Sequence, residues 1–459
     1  MRKENFLKFA KGLFRSCSRI SSKKILLVIN LFIVSSFLGC SFLEKRNQTS
    51  PTSTSEHGSP GSKLGDRILS EIEKIFGKER DPELIKILIG GDVMFNWGIR
   101  DTIKHKGTLA PVEELKDLFE EADFRMLNLE TPVVSEKSWD LNKSYVFQAK
   151  EQDLESLSFL NVDLVFLGNN HAMDHGVEGL EETRKYLKKK SIYGIGAGMN
   201  LSEAMLPWST EKSGTKLRVY SATNVAENRD HYAGLKPGVF QFNLETVFSL
   251  FDREEGIVRQ AKSLSPVKVS TNISDRKSKK KSQVTNRKQG KKKGKLQKQK
   301  LAFEFQKLQS RKNTATWMRI FSVHWGTEYS PVPTQEQREQ AKVLLESGVQ
   351  VIVGHHPHIP QGIEKIGQGI VFYSLGNLIF GSRNSYLNHN LIAILYVKKG
   401  KLQKVELIPI FGKFQNDEHI VRPLEGEEAR SFLHEIAVLS QDLGTTIKIE
   451  GERGWIEFD

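Results

Sequence analysis

The sequence predicts an α/β fold built on a parallel or mixed sheet. Two observations carry that prediction. Short apolar runs closed by glycine or polar residues alternate with longer segments of helical periodicity, the pattern of strands and helices wound in turn. Polar side chains able to act as ligands recur directly after the apolar runs: Asp92, Glu130, Asn170, His171, His324, His356 and His358. The carboxyl ends of parallel strands share one edge of a sheet, so residues placed there converge in space.

The elements follow in order. Lys63 to Gly77 carries Leu64, Ile68, Ile72 and Ile75 near helical spacing. Ile85 to Ile89 reads as a strand ended by Gly90-Gly91-Asp92. Pro111 to Ala122 reads as a helix, with Pro111 near its first turn. Arg125 to Glu130 is the next strand, where a spacing of two puts Asn128 and Glu130 on one face. A helix over 151–160 precedes a strand from Val162 to Gly168, which ends in Asn169-Asn170-His171. Gly176 to Lys190 is a helix, Ile192 to Gly196 a short strand or turn, Leu217 to Ala222 a strand and Thr246 to Asp252 a helix. Order resumes near Trp317, with a strand from Met318 to Val323 ending in His324-Trp325-Gly326 and followed by Glu328. Thr334 suits the N-cap of a helix stopped at Gly348, with Gln337 placed for a capping box. The run Val349 to Val353 delivers Gly354-His355-His356-Pro357-His358, three of the twelve histidines within four positions. Ile370 to Asn377 follows, then a hairpin of Leu391–Val397 and Val405–Ile410 around Lys398 to Lys401, and a last helix from Gly426 to Leu443. There is no internal repeat, GxGxxG fingerprint or Walker loop.

Charge divides the 459 residues unevenly. The formal net charge is +13, yet residues 1–39 contribute +7 and residues 262–300 contribute +14, which leaves the rest at −8. A basic surface for nucleic acid must therefore rest on 262–300 alone. That segment lacks aromatic residues for base stacking, so nucleic acid is not expected as a partner. The stretch 262–316 reads as a Lys-rich disordered insertion; a solvated surface loop competes there with a patch for polyanions.

Residues 1–39 read as a lipoprotein-type signal peptide. Lys23 and Lys24 precede an apolar run from Ile25 to Leu38, too short for a spanning helix of roughly 20 residues. Gly39-Cys40 resembles a lipobox, which makes Cys40 the lipidation site and 40–65 a Ser/Thr/Pro/Gly-rich tether. An uncleaved anchor competes with this reading, and either one puts the body outside the cytoplasm, at an inner or outer membrane. Cys17 and Cys40 are the only cysteines, so metal ligands in the body must come from His, Asp, Glu and Asn. The expected body spans 66–425, with 426–459 a C-terminal helix and tail.

Oxygen and imidazole donors without sulfur suit divalent Mn, Fe or Zn, as one or two ions. The order of the motifs adds a resemblance. Gly91-Asp92, Asn170-His171, His324 and His356-Pro357-His358 resemble the calcineurin-like metallophosphoesterases. With Asn128-Leu-Glu-Thr-Pro132, His324-Trp-Gly-Thr-Glu-Tyr329 and Tyr373-Ser-Leu-Gly-Asn377, the set is similar to the CapA family associated with poly-γ-glutamate capsule synthesis. The resemblance spans about 85–412 and implies a four-layer α-β-β-α sandwich. It implies Asp92, Asn170, His324, His356 and His358 as metal ligands, Glu130 at a metal-bridging position, and His171 as the catalytic group beside the leaving group. It further implies an anionic polymer such as poly-γ-glutamate, and a membrane synthase complex, as partners. Asp174, Glu328 and Asn377 are candidates for the surrounding shell, as is His175 beside Asp174. Met94 departs from the superfamily pattern, which has a histidine there, and a thioether is a poor ligand for a hard ion. His355 is expected to point away. Competing roles are an N-cap for Asp92, turn formation for Asn170 and His171, and pairing of Glu130 with Arg100 or Arg125.

Overall fold

The computed structural model describes residues 81–135, 143, 145–226, 228–254, 317–382, 384, 388–412, 414–415 and 418–458. The signal, Cys40, the tether, the 63–77 helix and the 262–316 insertion lie outside the described residues. Among the described residues, no helix is long and apolar enough to cross a membrane.

Residues Pro82–Asp459 form one compact unit around two sheets. The larger sheet runs in the order Lys448–Glu450, Arg453–Glu457, Lys401–Phe411, His389–Lys398, Leu84–Met94, Phe124–Leu129, Leu164–Phe166, Tyr193–Ile195. The strands from Leu84–Met94 to Tyr193–Ile195 are parallel, and His389–Lys398 pairs antiparallel to Leu84–Met94. The smaller sheet runs Ile363–Ile366, Gly369–Phe372, Val351–His355, Met318–His324, Thr215–Thr223, Trp208–Lys212, parallel except at its two edges.

The apolar runs are continuous because most strands are buried on both faces. Successive side chains point opposite ways, so neighbours in sequence enter different cores. Ile87, Ile89, Met126, Leu164 and Phe166 meet Val219, Ile320, Val351 and Val353 between the sheets. Leu88, Leu127 and Val165 face outward, against Leu157, Leu180 and Leu187 of the helices Leu154–Phe159 and Gly176–Lys189. Phe321, Ile352 and Val371 face the other way, against Val247, Phe251, Ala341 and Leu344 of the helices Leu244–Glu254 and Gln335–Glu346. The result is the expected four-layer α-β-β-α sandwich.

Local chemistry explains several boundaries. The Thr334 hydroxyl accepts from the Gln337 N–H, and the Gln337 side chain accepts from the Thr334 N–H, closing the expected capping box. Lys399 and Gly400 both take positive φ, the two-residue turn that suits the right-handed twist of the hairpin they close. Three elements differ from the sequence reading. The first strand continues to Met94, so Asp92 lies inside it at a bulge instead of after it. A Cβ on Gly91 would stand 1.9 Å from the Gly376 oxygen, so glycine there permits a close pass and does not end the strand. Pro111 to Ala122 is a 3₁₀ turn, Glu113–Leu115, running into a short helix, Lys116–Glu120. The segment after Gln441 forms two strands, of which Arg453–Glu457 joins the larger sheet beside Lys401–Phe411.

Candidate metal centre

The parallel strands of both sheets deliver their carboxyl ends to one place. Leu84–Met94 brings Asp92, the residue after Leu129 is Glu130, and the loop after Phe166 brings Asn170 and His171. From the smaller sheet, Met318–His324 ends on His324, and Val351–His355 leads into His356 and His358. Gly354 allows this last approach, since a Cβ there would sit 1.9 Å from the Tyr373 oxygen.

Asp92 is fully buried and organises the histidines. Its Oδ1 accepts from the Asn128 amide at 2.8 Å and from His355 Nδ1 at 2.9 Å. Its Oδ2 lies 3.1 Å from His358 Nδ1. Burial opposes the Asp92 charge, but His355 and His358 outweigh it and hold the carboxyl well below the usual range. The N-cap alternative is excluded, because the side chain serves imidazoles from the other sheet. His355 is the main correction to the sequence reading, since it points at Asp92 and not away. The H-x-H spacing of His356 and His358 misplaced it; His355 is the last residue of its strand and pairs with His324, in register with the centre.

His358 is held from two sides. Asn377 Oδ1 accepts from Nδ1 at 3.1 Å, and the Asn377 amide donates to the His358 carbonyl at 3.0 Å. With Nδ1 donating, Nε2 is the nitrogen left for a cation, and it lies 3.9 Å from Glu130 Oε1. Asn377, a candidate for the surrounding shell, thus fixes the tautomer and ring position of His358.

Glu130 is fully buried, and neither of its oxygens has a hydrogen-bond partner. Arg100 pairs instead with Asp153 at 2.7 Å, and Arg125 with Asp163 and nearby carbonyls, so neither neutralises Glu130. Burial first, and the charges of Asp92, Glu328 and Asp174 next, push its carboxyl well above the usual range. His324 Nε2 is 3.3 Å from Glu130 Oε1, and the His324 and His356 rings are 4.9 Å apart. Burial keeps both imidazoles neutral, His324 well below its ordinary value and His356 at about 3. Asn170 Oδ1, His324 Nε2, His355 Nε2 and His356 Nδ1 are likewise buried without hydrogen-bond partners.

These groups fit a divalent cation. Three sets bring ligand atoms within 4.8 Å of one another: Glu130 with His324 and His356, Asp92 with Glu130 and His358, and Glu328 with His356 and His358. Buried donors that bind nothing in the protein are costly, and a cation satisfies several at once. Met94 does not contribute. Its sulfur accepts from the Asn96 N–H at 2.8 Å, and its side chain packs with Phe147 and Phe380.

His171 stands beside this set with its own support. Its Nδ1 donates to Asp174 at 2.8 Å, which leaves Nε2 to take or give a proton. Asp174 also accepts from the Phe147 N–H at 2.7 Å and is ion-paired with Lys143, whose ammonium donates to the Asn170 carbonyl at 2.7 Å. Phe147 lies against the His171 ring with centroids 4.1 Å apart. His175, expected to orient His171, instead bonds the Phe147 carbonyl at 3.0 Å. Lys143 and Phe147 were missed because they come from a loop without periodicity or motif.

The chain matches the family model "Bacterial capsule synthesis protein PGA_cap" over residues 86–382. It is 24% identical over 322 residues to the PGA biosynthesis protein CapA of Bacillus subtilis, covering 70% of each chain. It is 24% identical over 306 residues to the capsule biosynthesis protein CapA of Bacillus anthracis, covering 66% of this chain and 61%, less than two thirds, of that one. A probable polyglutamine synthesis accessory protein of Mycobacterium tuberculosis is 21% identical over 376 residues, covering 72% of this chain and 85% of that one. Among solved structures, the Haemophilus influenzae NAD nucleotidase aligns over 77% of this chain and 55% of that one, with 10% identity and a TM-score of 0.37. The family match takes in well over half of the chain and every residue of the centre from Asp92 to Asn377, and the chain belongs to the bacterial capsule synthesis protein family PGA_cap.

Proposed function

We propose that this chain is an exported, lipid-anchored factor in the synthesis, release or anchoring of a capsule-type glutamyl polymer, and that it acts there as a metal-dependent hydrolase or transferase. The carrying observation is Glu130, a buried carboxylate with no hydrogen-bond partner, set among imidazole nitrogens that have none either. A buried charge without compensation is strongly unfavourable, and a bound cation removes that penalty. The names of the relatives support the polymer class. The anchor rests on the apolar run before Cys40, and the Lys-rich segment suits a polyanion or a synthase partner at the membrane.

Glu130, His324, His356 and His358, with Asp92 and Asn170 beside them, would hold a divalent cation, which would supply Lewis-acid charge to a phosphoryl or acyl centre. The protein does the rest. Asp92 and Asn377 fix the donors, Asn128 ties Asp92 to the His324 side, and Asp174 orients His171 so that Nε2 delivers a proton to the leaving group. Mn, Fe and Zn all suit the donors, and with Met94 engaged elsewhere a single tightly held ion is the simplest occupancy.

Metal analysis of the purified chain, paired with a phosphodiester and γ-glutamyl hydrolysis screen, tests the proposal. Bound metal and a turnover lost in His171→Ala are expected. A chain that neither retains nor takes up Mn, Fe or Zn would sink it. Met94 also favours a second reading, in which the site holds polymer or a synthase without turnover. Full polymer production in cells carrying His171→Ala, with loss in His356→Ala, would select that reading. Labelling with radioactive palmitate, lost in Cys40→Ala, checks the anchor.

A further inference from the structure

The mouth of the metal centre is aromatic. Trp97, Tyr145 and Tyr329 stand 45%, 61% and 50% exposed there. Tyr145 meets Trp97 edge-on at 6.2 Å, and Trp97 meets Phe147 and Phe380 at 5.3 and 5.8 Å. Phe147 lies against His171, Phe380 stands 4.7 Å from the His358 ring, and Tyr329 stands 6.2 Å from the same ring. Rings therefore run without a break from solvent to the two imidazoles.

The backbone shows that this rim is built. Eight non-glycine residues among those described have positive φ. Asn161, Ser191, Ser213 and Lys399 are polar residues at helix ends and hairpin turns. The other four are Trp97, Tyr329, His356 and His358, at 55°, 60°, 95° and 60°. Bulky residues rarely adopt this region, and such strain persists only where the surroundings impose it. Both strained aromatic positions are tied down. The Tyr329 N–H donates to the Pro357 carbonyl at 2.9 Å, between the two histidines, and the Trp97 carbonyl accepts from the Arg100 N–H at 2.9 Å. Glu328, exposed beside Tyr329, is the solvent-facing acidic group in reach of His356 and His358.

These features choose among the parts of a glutamyl chain. Glu328 repels carboxylates and accepts from N–H groups. The flat, neutral parts of such a chain are its amide planes and methylenes, which suit the faces of Trp and Tyr. We infer that Trp97, Tyr145 and Tyr329 clamp the amide-linked backbone of the polymer by stacking, with its pendant carboxylates directed away from Glu328. The inference rests on the polymer reading above.

Isothermal titration of the full chain with poly-γ-glutamate, in the presence of Mn²⁺, tests the clamp. Tyr145→Ala and Tyr329→Asn each weaken polymer binding by roughly three- to tenfold, with Mn²⁺ affinity and melting temperature unchanged. Asn is chosen at 329 because it tolerates positive φ. Polymer affinity unchanged in both variants, with Mn²⁺ still bound, overturns the clamp and leaves the metal centre standing. A neutral glucan that binds with the same dependence on Tyr145 and Tyr329, where poly-γ-glutamate does not bind, overturns the assignment to an amide chain. If Mn²⁺ fails to bind but polymer binding still falls in the variants, the metal reading fails and the clamp stands.

Discussion

Glu130→Gln separates a metal centre from a merely unusual core. In the metal-free protein the folded state holds the Glu130 proton above the usual carboxylate range, whereas the unfolded chain releases it near the ordinary value of 4.5. At this carboxyl the unfolded state therefore binds fewer protons between those two values, and the contribution of Glu130 to stability falls there by up to about 1.4 kcal/mol per pH unit. Glutamine keeps the size of the side chain and does not titrate. In EDTA, Glu130→Gln should gain on wild type as the pH rises from 5 to 8. Adding Mn²⁺ at 100 times its dissociation constant should reverse the order, since ligand binding stabilises wild type by about 2.7 kcal/mol. For the about 300 described residues, with roughly 2.1 cal/mol/K of unfolding entropy each, that is an upward shift of about 4 °C. The variant, having lost the shared carboxylate, should shift by less than 1 °C, or about a quarter of that stabilisation. Melting curves by fluorimetry across pH, with EDTA and with Mn²⁺, measure both effects. Equal Mn²⁺ shifts in the two proteins, or a metal-free variant that does not gain on wild type as the pH rises, would refute the reasoning.

Other outcomes follow from the same geometry. Asn377→Ala removes the acceptor that fixes His358 Nδ1, and Mn²⁺ affinity by titration calorimetry should fall about 10- to 100-fold with the fold retained. Asp174→Asn should slow turnover by about 100-fold or more in the hydrolysis screen while Mn²⁺ affinity stays near wild type, because Asp174 serves His171. Gly91→Ala forces a Cβ to 1.9 Å from the Gly376 oxygen and should cost more than about 4 kcal/mol, read as insoluble protein or a collapsed urea midpoint.

The sandwich was legible because burial on both faces writes a strand as an unbroken apolar run, and its helices keep a 3.6-residue period. The strands Trp208–Lys212, at an edge of the smaller sheet, and Arg453–Glu457, next to the edge of the larger one, are half-exposed and short and carried no such signal. At the centre, the residues that the sequence set after apolar runs, Glu130, Asn170, His324, His356 and His358, come together around Asp92. The error at His355 has a physical cause. Reading His356 and His358 as one face assumes that the chain stays extended, but both turn to positive φ, so the two-residue rule holds through His355 and stops there. Once the backbone leaves the strand, side-chain direction follows from tertiary contacts such as Asp92 with His358 and Pro357 with Tyr329. The same strained turn that hid His355 also aims His358 inward and ties Tyr329 to the mouth. The residues hardest to read from sequence are thus the ones that couple the metal centre to whatever enters it.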